Sequence, residues 1–205
     1  MKKALLMAFA LILAPMVAMA APKYQEGVHY TVINDGPGTP KPEITEFFSF
    51  YCPHCYTFSK TVVPEIKAEL PKGVEFKQDH VDFIGGQMGV ELSRAFAIAH
   101  QLNVEDKMDK ALFYTIQVER KPLTSLDDIR AVFVANGVDG KAFDAAANSF
   151  MVNAQMAQMK RATENAKISG VPALVVNGKY RVETGAIKSY DEMLDIAFWL
   201  ANKKS

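Results

Sequence analysis

The apolar residues of this chain change their spacing several times, and each change predicts a new element. Residues 30–33 and 44–50 are short runs of aromatic and β-branched side chains. The second run has little polar alternation, as expected of a central strand that is covered on both faces. Residues 52–70 then carry apolar side chains at helical spacing, and residues 74–83 return to a strand pattern. This part of the chain therefore predicts two strands, a helix and a third strand.

The pattern from residue 84 to residue 159 is helical throughout. Ser125 followed by Asp128 is a capping-box signal for one of these helices, and Asn136-Gly137 is a stop signal. The block is also rich in methionine, at Met88, Met108, Met151, Met156 and Met159. A Met-rich surface can bind varied apolar partners, but helical spacing favours a place in the core for these side chains.

Strands return after the helical block. Residues 173–176 form an apolar run, and Asn177-Gly178 is a strong signal for a type I′ hairpin turn before residues 179–183. Ser189 with Glu192 three residues later marks the start of a last helix. The chain therefore predicts strands on both sides of a long helical segment.

The first residues have the pattern of a secretory signal peptide. Two lysines near the start are followed by an apolar stretch, residues 4–17, and by a small-x-small motif that ends at Ala20. An N-terminal membrane anchor is the alternative, but the apolar stretch is shorter than the roughly 20 residues that a spanning helix needs. We therefore expect residues 1–20 to be removed after Ala20 and the protein to be exported.

Composition argues against several other classes of protein. Basic and acidic residues are balanced, with 23 of each, and the sequence has no basic stripe of the kind that binds nucleic acid. Hydrophobic residues make up 49% of the chain, which is ample for a core that needs no disulfide staple. After the leader, no stretch of the sequence is long and apolar enough to span a bilayer.

The only two cysteines of the chain form the motif Cys52-Pro53-His54-Cys55, directly after the strand predicted at residues 44–50. If Cys52 is the N-cap of the next helix, Pro53 takes the first helical position, which proline favours, and the helix N-terminus stabilises a Cys52 thiolate. A positive charge on His54 favours the same thiolate. The small ring that a disulfide would close here constrains little of the unfolded chain, so the pair indicates chemistry rather than a staple.

A structural disulfide and half of a zinc site are the other interpretations of this cysteine pair. Zinc would need two more ligands, and the sequence has neither a second CxxC nor a His-x₃-His motif. We therefore expect no metal and no cofactor. Cys52, at the start of the helix, is expected to be the nucleophile, and Cys55, one turn further along, the more buried resolving thiol.

Three segments carry a resemblance to a known family. They are the run EFFSFYCPHCY from Glu46, the tetrapeptide GVPA from Gly170 and the run VNGKY from Val176. Together they resemble the family of disulfide-bond protein A, the periplasmic dithiol oxidases of Gram-negative bacteria. The resemblance covers essentially the whole chain after the leader, including the helical block.

The resemblance implies an α/β thioredoxin fold with an inserted all-helical domain. On this basis we assign residues 1–20 to a signal peptide. Residues 21–83 and 160–205 would form a discontinuous thioredoxin-like domain, and residues 84–159 would form the helical insert. The family also implies a periplasmic location and a monomer.

The resemblance also implies roles for residues outside the cysteine pair. Pro172 would be a cis-proline that faces the disulfide, and the backbone of Val171 would pair with an incoming peptide. Pro53 and His54 would tune the redox potential. Glu46 would be a buried acid beneath the disulfide that helps to carry protons.

One departure from the family concerns the partner of Glu46. The family often has a lysine on the neighbouring strand close to this acid, whereas the matching place in this chain is Gln78. Lys77 is one residue away, and a single step along a strand turns a side chain to the other face of the sheet. The proton partner of Glu46 is therefore open.

The leading functional hypothesis is an exported thiol oxidase. Its Cys52–Cys55 disulfide would react with unfolded exported proteins that carry free thiols, through a mixed disulfide on Cys52. The family implies reoxidation by a quinone-linked thiol oxidase of the inner membrane. The alternatives are a disulfide isomerase or reductase, a chaperone-like binding module and a metal carrier. Tyr51, Tyr56 and Phe58 are expected to line part of the substrate-facing surface.

Overall fold

The computed structural model describes residues 23–203, so the predicted signal peptide and its cleavage site lie outside the described residues. The strands are β1 (Tyr30–Val32), β2 (Glu43–Phe48), β3 (Glu75–His80), β4 (Ala173–Val176) and β5 (Tyr180–Val182). The helices are α1 (Pro53–Glu69), α2 (Gln87–Gln101), α3 (Glu105–Phe113), α4 (Leu126–Ala135), α5 (Gly140–Ala147), α6 (Phe150–Asn165) and α7 (Tyr190–Ala201). A π-helical turn, Tyr114–Val118, follows α3 directly.

The five strands form one mixed sheet in the order β1-β5-β4-β2-β3. β2 pairs with β3 in parallel, and the other neighbours are antiparallel. β2 is therefore bonded on both edges, and side chains on both of its faces are buried. The sequence-based prediction of a covered central strand is confirmed. The thioredoxin fold with helices placed between β3 and β4 is also confirmed.

Helix α1 begins where the sequence predicts it. Cys52 is the N-cap, its sulfur accepts the backbone N–H of Cys55, and Pro53 occupies the first turn, where its missing N–H costs nothing. The helix buries Phe58 and Ile66 in a cluster that also contains residues of α7. α1 and α7 therefore share a core on one face of the sheet, and this packing holds the start of α1 against the end of β2.

Helix α6 covers the opposite face of the sheet, where Ala162 and Ala166 pack with Phe47 and Val175. The predicted boundary between insert and thioredoxin-like domain, after residue 159, falls inside this helix. α6 thus begins among the helices of the insert and ends on the sheet.

Helices α2 to α5 and the first part of α6 enclose a core that continues to the end of β2 and the start of α1, since Phe48, Phe50 and Cys55 belong to the same cluster. Phe133 and Phe143 meet edge to face in it, with their ring centroids 4.9 Å apart. Of the predicted core methionines, Met108 and Met159 are buried, whereas Met151 is exposed. Among residues 23–203, no helix is long and apolar enough to cross a membrane.

The turn between β4 and β5 carries the predicted hairpin signal. Asn177 and Gly178 both have positive φ, 55° and 59°, as a type I′ turn requires. The hairpin brings β5 back beside β4. The antiparallel pairing of β4 with β2, in which Ala173 lies opposite Phe47, places the segment before Ala173 close to the start of α1.

Candidate functional site

The two cysteines lie at the first turn of α1, and both are free thiols in this structure. Cys52 is 8% exposed and Cys55 is fully buried. The backbone N–H of Cys55 donates to the Cys52 sulfur over 3.2 Å, which is the N-cap interaction of the helix. The helix start therefore leaves Cys52 as the less buried of the two cysteines, with Cys55 wholly in the interior one turn further along.

The same geometry separates the acidities of the two thiols. The pKa of Cys52 is lowered from 9.0 to about 6, first by a hydrogen bond from the Cys55 thiol. The backbone N–H groups of Cys55 and His54 and the charge of His54 lower it further. The pKa of Cys55 is raised, because its proton is held by the Cys52 sulfur and the group is buried. At neutral pH the Cys52 sulfur is therefore the thiolate, whereas Cys55 keeps its proton.

A loop from the other end of the domain faces this thiolate. The Cys52 thiol, when protonated, donates to the carbonyl oxygen of Val171 at 3.3 Å, and the Val171–Pro172 peptide bond is cis. His54, Val171, Pro172, Arg181 and Tyr190 line a cavity of about 500 Å³ beside the cysteines. The structure therefore brings together the two sequence segments that the resemblance pairs, although 119 residues separate Cys52 from Val171.

Glu46 lies in the interior on β2 and is 1% exposed. Its partner is Gln78 on β3, whose Nε2 donates to Glu46 Oε2 over 2.8 Å. Burial raises the pKa of Glu46 to about 8. The Gln78 hydrogen bond opposes this rise, whereas the negative charges of Asp109 and Cys52 add to it. Glu46 therefore holds a proton at neutral pH, close enough to the cysteines for its charge to affect theirs.

Lys77 takes no part in this pair. It binds Glu43 on the other side of the sheet, with Nζ 2.6 Å from Oε2. The neighbouring lysine is thus turned away by the alternation of the strand, as the sequence pattern indicates. Asp109 on α3 is a second buried carboxyl near Glu46, and burial raises its pKa to about 7. Sequence reasoning missed Asp109, because its burial depends on how the insert packs against α1.

Two further residues, which the sequence patterns did not single out, bind the backbone just before the motif. His80 Nε2 accepts the N–H of Phe50 at 3.2 Å, and Gln117 Nε2 donates to the carbonyl of Phe50 at 2.7 Å. The only sequence signal for His80 was a histidine at the end of a strand pattern. Gln117 gave no signal, because it lies in a π-helical turn that apolar spacing does not predict.

The aromatic residues near the motif divide into two groups. Tyr51 and Tyr56 are partly exposed, and the ring of Tyr51 lies against Gly85, where an added Cβ would be 2.5 Å from ring carbons. Phe58 is fully buried and packs edge to face on Tyr190, at a centroid distance of 5.3 Å. The expectation that Phe58 faces a substrate is therefore wrong, because its position on α1 points into the core shared with α7.

Within residues 23–203, no group of three or more His, Cys, Asp or Glu side chains is arranged to hold a metal ion. The described residues present a dithiol at a helix N-terminus on a thioredoxin fold. The Cys52 sulfur is activated by its lowered pKa, and the Cys55 sulfur, one turn further along α1, stays protonated. This combination defines a thiol:disulfide oxidoreductase of the thioredoxin class.

Comparison with known proteins shows to which family of thiol:disulfide oxidoreductases the chain belongs. The family described as "DSBA-like thioredoxin domain" matches residues 43–195, and the chain belongs to that family. The "Thiol:disulfide interchange protein DsbA" of Escherichia coli strain K12 is 41% identical over 184 residues, which cover 89% of this chain and 86% of the relative. The protein of the same name from Pectobacterium carotovorum is 39% identical over 193 residues, which cover 90% and 92%.

A solved structure shows the same fold. Proteus mirabilis DsbA, in complex with a non-covalently bound peptide PWATCDS, superposes with a TM-score of 0.80 and is 38% identical. The match covers 89% of this chain and all of that one. The expected family, fold and enzyme class are therefore confirmed.

Proposed function

We propose that this protein is a periplasmic dithiol oxidase that donates its Cys52–Cys55 disulfide to newly exported proteins. The observation that carries the proposal is the position of Cys52 at the N-cap of α1, where its sulfur accepts the backbone N–H of Cys55 over 3.2 Å while Cys55 itself is fully buried. A thiolate that is stable in the reduced protein makes the disulfide easier to give away, because donation ends in that stable state. The lowered pKa of Cys52 therefore favours the direction of an oxidant.

The reaction would proceed in two exchanges. A substrate thiolate attacks the Cys52 sulfur, the Cys52–Cys55 bond breaks, and Cys55 leaves with the electron pair. A second substrate thiolate then attacks the substrate sulfur of the mixed disulfide, and Cys52 leaves as a thiolate. The substrate loses two electrons and gains a disulfide, while the protein ends as the dithiol. A leaving thiol of low pKa departs faster, so the Cys52 environment accelerates the second exchange.

Glu46 would act on the first exchange. The departing Cys55 sulfur is buried, and an unprotonated sulfur there is costly. Glu46 is protonated at neutral pH and interacts electrostatically with Cys55, whose pKa its charge would raise. We infer that Glu46 supplies a proton toward Cys55 as the disulfide opens and takes it back when the disulfide re-forms. Gln78 would hold the carboxyl in place through both states.

Substrate would be held beside Cys52 by backbone pairing. The carbonyl of Val171 is 3.3 Å from the Cys52 sulfur, so it can accept an N–H of a peptide whose cysteine is bound there. Pro172 presents no N–H of its own at this place. The cavity lined by His54, Pro172 and Tyr190 would take the flanking residues of the peptide. The Proteus mirabilis relative with its non-covalently bound peptide supports peptide binding in general.

The leader pattern and the family support the remaining parts of the proposal. The protein would be exported after cleavage behind Ala20, would work as a monomer and would need no cofactor. A quinone-linked thiol oxidase of the inner membrane would reoxidise the Cys52–Cys55 pair after each cycle.

The test is the equilibrium of the Cys52–Cys55 pair with a glutathione buffer, together with the oxidation of a reduced, unfolded protein. The oxidase hypothesis predicts that the pair is reduced at glutathione ratios that leave ordinary structural disulfides intact, and that substrate oxidation is stoichiometric without glutathione. Cys52→Ser should abolish the oxidation. Cys55→Ser should abolish it as well, and in a buffer that contains oxidised glutathione this variant should accumulate a mixed disulfide between Cys52 and glutathione, with release of one reduced glutathione. A pair that remains oxidised in a reducing glutathione buffer would refute the proposed direction.

Three further assays distinguish the alternatives from the oxidase. An isomerase would rearrange scrambled disulfides faster than it oxidises thiols. A chaperone-like binding module would still suppress aggregation after Cys52→Ser. A metal carrier would bind metal stoichiometrically when both thiols are reduced. Each of these outcomes replaces the oxidase proposal rather than refining it.

A further inference from the structure

The backbone of Phe50, two residues before Cys52, is hydrogen-bonded by two side chains, one at its N–H and one at its carbonyl. Phe50 is fully buried, so its N–H and C=O cannot turn to water for partners. The N–H donates to His80 Nε2 at 3.2 Å, and the carbonyl accepts from Gln117 Nε2 at 2.7 Å. Both backbone groups of one residue are therefore satisfied by side chains instead of by the sheet.

The histidine contact fixes the state of the ring. Nε2 accepts the Phe50 N–H, so the ring proton is on Nδ1, which donates to Ser93 Oγ over 2.8 Å. Ser93 Oγ in turn donates to the carbonyl of Gly89 over 3.2 Å. Burial lowers the pKa of His80 to about 3, which keeps the ring neutral. The Phe50 N–H is thus connected by a chain of hydrogen bonds, through His80 at the end of β3, to Ser93 and Gly89 of helix α2.

The carbonyl side is tied to a different part of the helical insert. Gln117 belongs to the π-helical turn Tyr114–Val118, in which the N–H of Glu119 bonds to the carbonyl of Tyr114, five residues back. The wider turn leaves Tyr114 and Val118 exposed, while Gln117 points inward. Such turns are rare and are frequently found at functional sites.

Phe50 lies directly before Tyr51 and the redox motif that begins at Cys52. The N–H of Tyr51 donates to Ser49 Oγ at 3.2 Å, and the N–H of Cys52 donates to the carbonyl of Ser49 at 3.0 Å. The segment from Ser49 to Cys52 is therefore one hydrogen-bonded turn, and Phe50 is the residue in it that the insert holds. A change in the Phe50 carbonyl would move the turn and, with it, the Cys52 sulfur relative to its donors.

We propose that Gln117 is a positioning residue for the redox reaction: its side-chain amide, supplied by the helical insert, holds the Phe50 carbonyl and thereby keeps the Cys52 sulfur on its thiolate-stabilising donors. This inference rests on the proposed oxidase function, because it concerns the stability of the Cys52 thiolate. It gives the insert a direct part in setting the redox equilibrium, besides its structural role.

The test compares Gln117→Met with Gln101→Met. Methionine has nearly the length and volume of glutamine but cannot donate, so the change removes the hydrogen bond with little loss of packing. Gln101 lies in the same insert and accepts a hydrogen bond from Ser149 at 2.7 Å, away from the motif. The control therefore loses one hydrogen bond of the insert without touching the Ser49–Cys52 turn.

The readouts are the Cys52 pKa, from the ultraviolet absorbance of the thiolate against pH, and the glutathione equilibrium constant. Gln117→Met should raise the Cys52 pKa and make the protein a weaker oxidant, by about tenfold in the equilibrium constant, or ~30 mV. Gln101→Met should leave both at the wild-type values, even if it lowers the melting temperature. A purely structural role for Gln117 would lower the melting temperature alone.

A Gln117→Met protein with wild-type values of both quantities, within twofold for the equilibrium constant, overturns the proposal. If this variant fails to fold, Gln117→Asn is measured instead. It keeps an amide donor on a chain one carbon shorter, and the proposal then requires a smaller shift in the same direction. The wild-type constant is measured in the same buffer. A reducing wild-type value would refute the oxidase function, while the difference between variants still decides the role of Gln117.

Discussion

Gln78 donates a 2.8 Å hydrogen bond to Glu46, and the two residues are direct partners in the parallel register of β3 and β2. The amide is neutral, so it orients the buried carboxyl without supplying a charge that would ionise it. Burial consequently dominates and raises the pKa of Glu46 to about 8. The buried Glu46 carboxyl therefore holds its proton in the resting protein at neutral pH.

The first prediction concerns the stability of the reduced protein, with both thiols free, against pH. The folded state holds the Glu46 proton up to about pH 8, whereas the unfolded chain releases it near the ordinary value of 4.5. Between these values the folded state binds more protons, so the Glu46 contribution is complete below pH 4.5 and is lost as the pH rises through 8. Glu46→Gln should remove a fall of up to roughly 1.4 kcal/mol per pH unit.

The measurement is the free energy of unfolding by denaturant, for wild type and Glu46→Gln, at several pH values in that window. The difference between the two curves isolates Glu46 from Asp79 and Asp109, whose pKa values burial also raises. Glu43→Gln is the matched control, because it removes a carboxylate from the same strand that is held by Lys77 outside the core. Parallel curves for wild type and Glu46→Gln would show that Glu46 is ionised in the folded protein.

The second prediction is a difference in reactivity between the two thiols of the reduced protein. Near pH 6, where the pKa of Cys52 lies, about half of Cys52 is thiolate, whereas Cys55 is fully protonated and buried. Iodoacetamide should therefore modify Cys52 at least tenfold faster than Cys55. Peptide mapping by mass spectrometry after short exposures measures both rates. Equal rates, or a faster Cys55, would reverse the assignment of nucleophile.

The third prediction separates the causes of the low Cys52 pKa. The hydrogen bond from the Cys55 thiol is the largest of them. Cys55→Ala removes this donor, while Cys55→Ser retains a hydroxyl that can donate to the same sulfur. The Cys52 pKa, read from thiolate absorbance, should thus rise in the order wild type, Cys55→Ser, Cys55→Ala. An identical pKa in the two variants would mean that the backbone N–H groups alone stabilise the thiolate.

The fourth prediction concerns His54. Its charge is the smallest of the named influences that lower the Cys52 pKa, and its backbone N–H stays when the side chain changes. His54→Ser should therefore make the protein a weaker oxidant. It should also raise the Cys52 pKa by less than Cys55→Ala does. The glutathione equilibrium constant is the measure, with the exposed His100→Ser as control. An unchanged or more oxidising His54→Ser protein would remove His54 from the set of tuning residues.

The fifth prediction compares the melting temperatures of the two redox forms. In the reduced protein the pKa of Cys52 is about 6 when folded, against an ordinary value of 9.0. The thiolate therefore stabilises the fold fully above pH 9, and this stabilisation is lost as the pH falls through 6. The reduced form should melt above the oxidised form at pH 8, and the gap should shrink toward pH 5. A gap that grows as the pH falls would contradict the direction of the Cys52 shift.

Several parts of the fold and site follow from local physical chemistry and could be predicted from the sequence. Pro53 suits the first turn of a helix, so the CxxC motif had to be its start and Cys52 its cap. Asn177-Gly178 tolerates positive φ at both positions, so the hairpin after β4 was predictable. The family resemblance of three short segments then indicated which distant loop faces the cysteines.

Other features depend on which segments meet in space. Glu46 and Gln78 are 32 positions apart, and only the register of β2 on β3 makes them partners. Phe58 has the helical spacing of a core residue and also lies near the motif, and the packing of α7 decided that it is buried. The predicted domain boundary after residue 159 falls inside α6, because a continuous helix serves both the insert and the sheet.

The sequence by itself determined the chemistry of this protein: a dithiol at a helix N-terminus on a thioredoxin fold. The tertiary structure alone decided how that chemistry is supported, by Gln78 on Glu46 and by His80 and Gln117 on Phe50. The physical reason is the range of the interactions. Capping and turn preferences act within a few residues and leave a local pattern, whereas a buried side-chain hydrogen bond between distant segments leaves none.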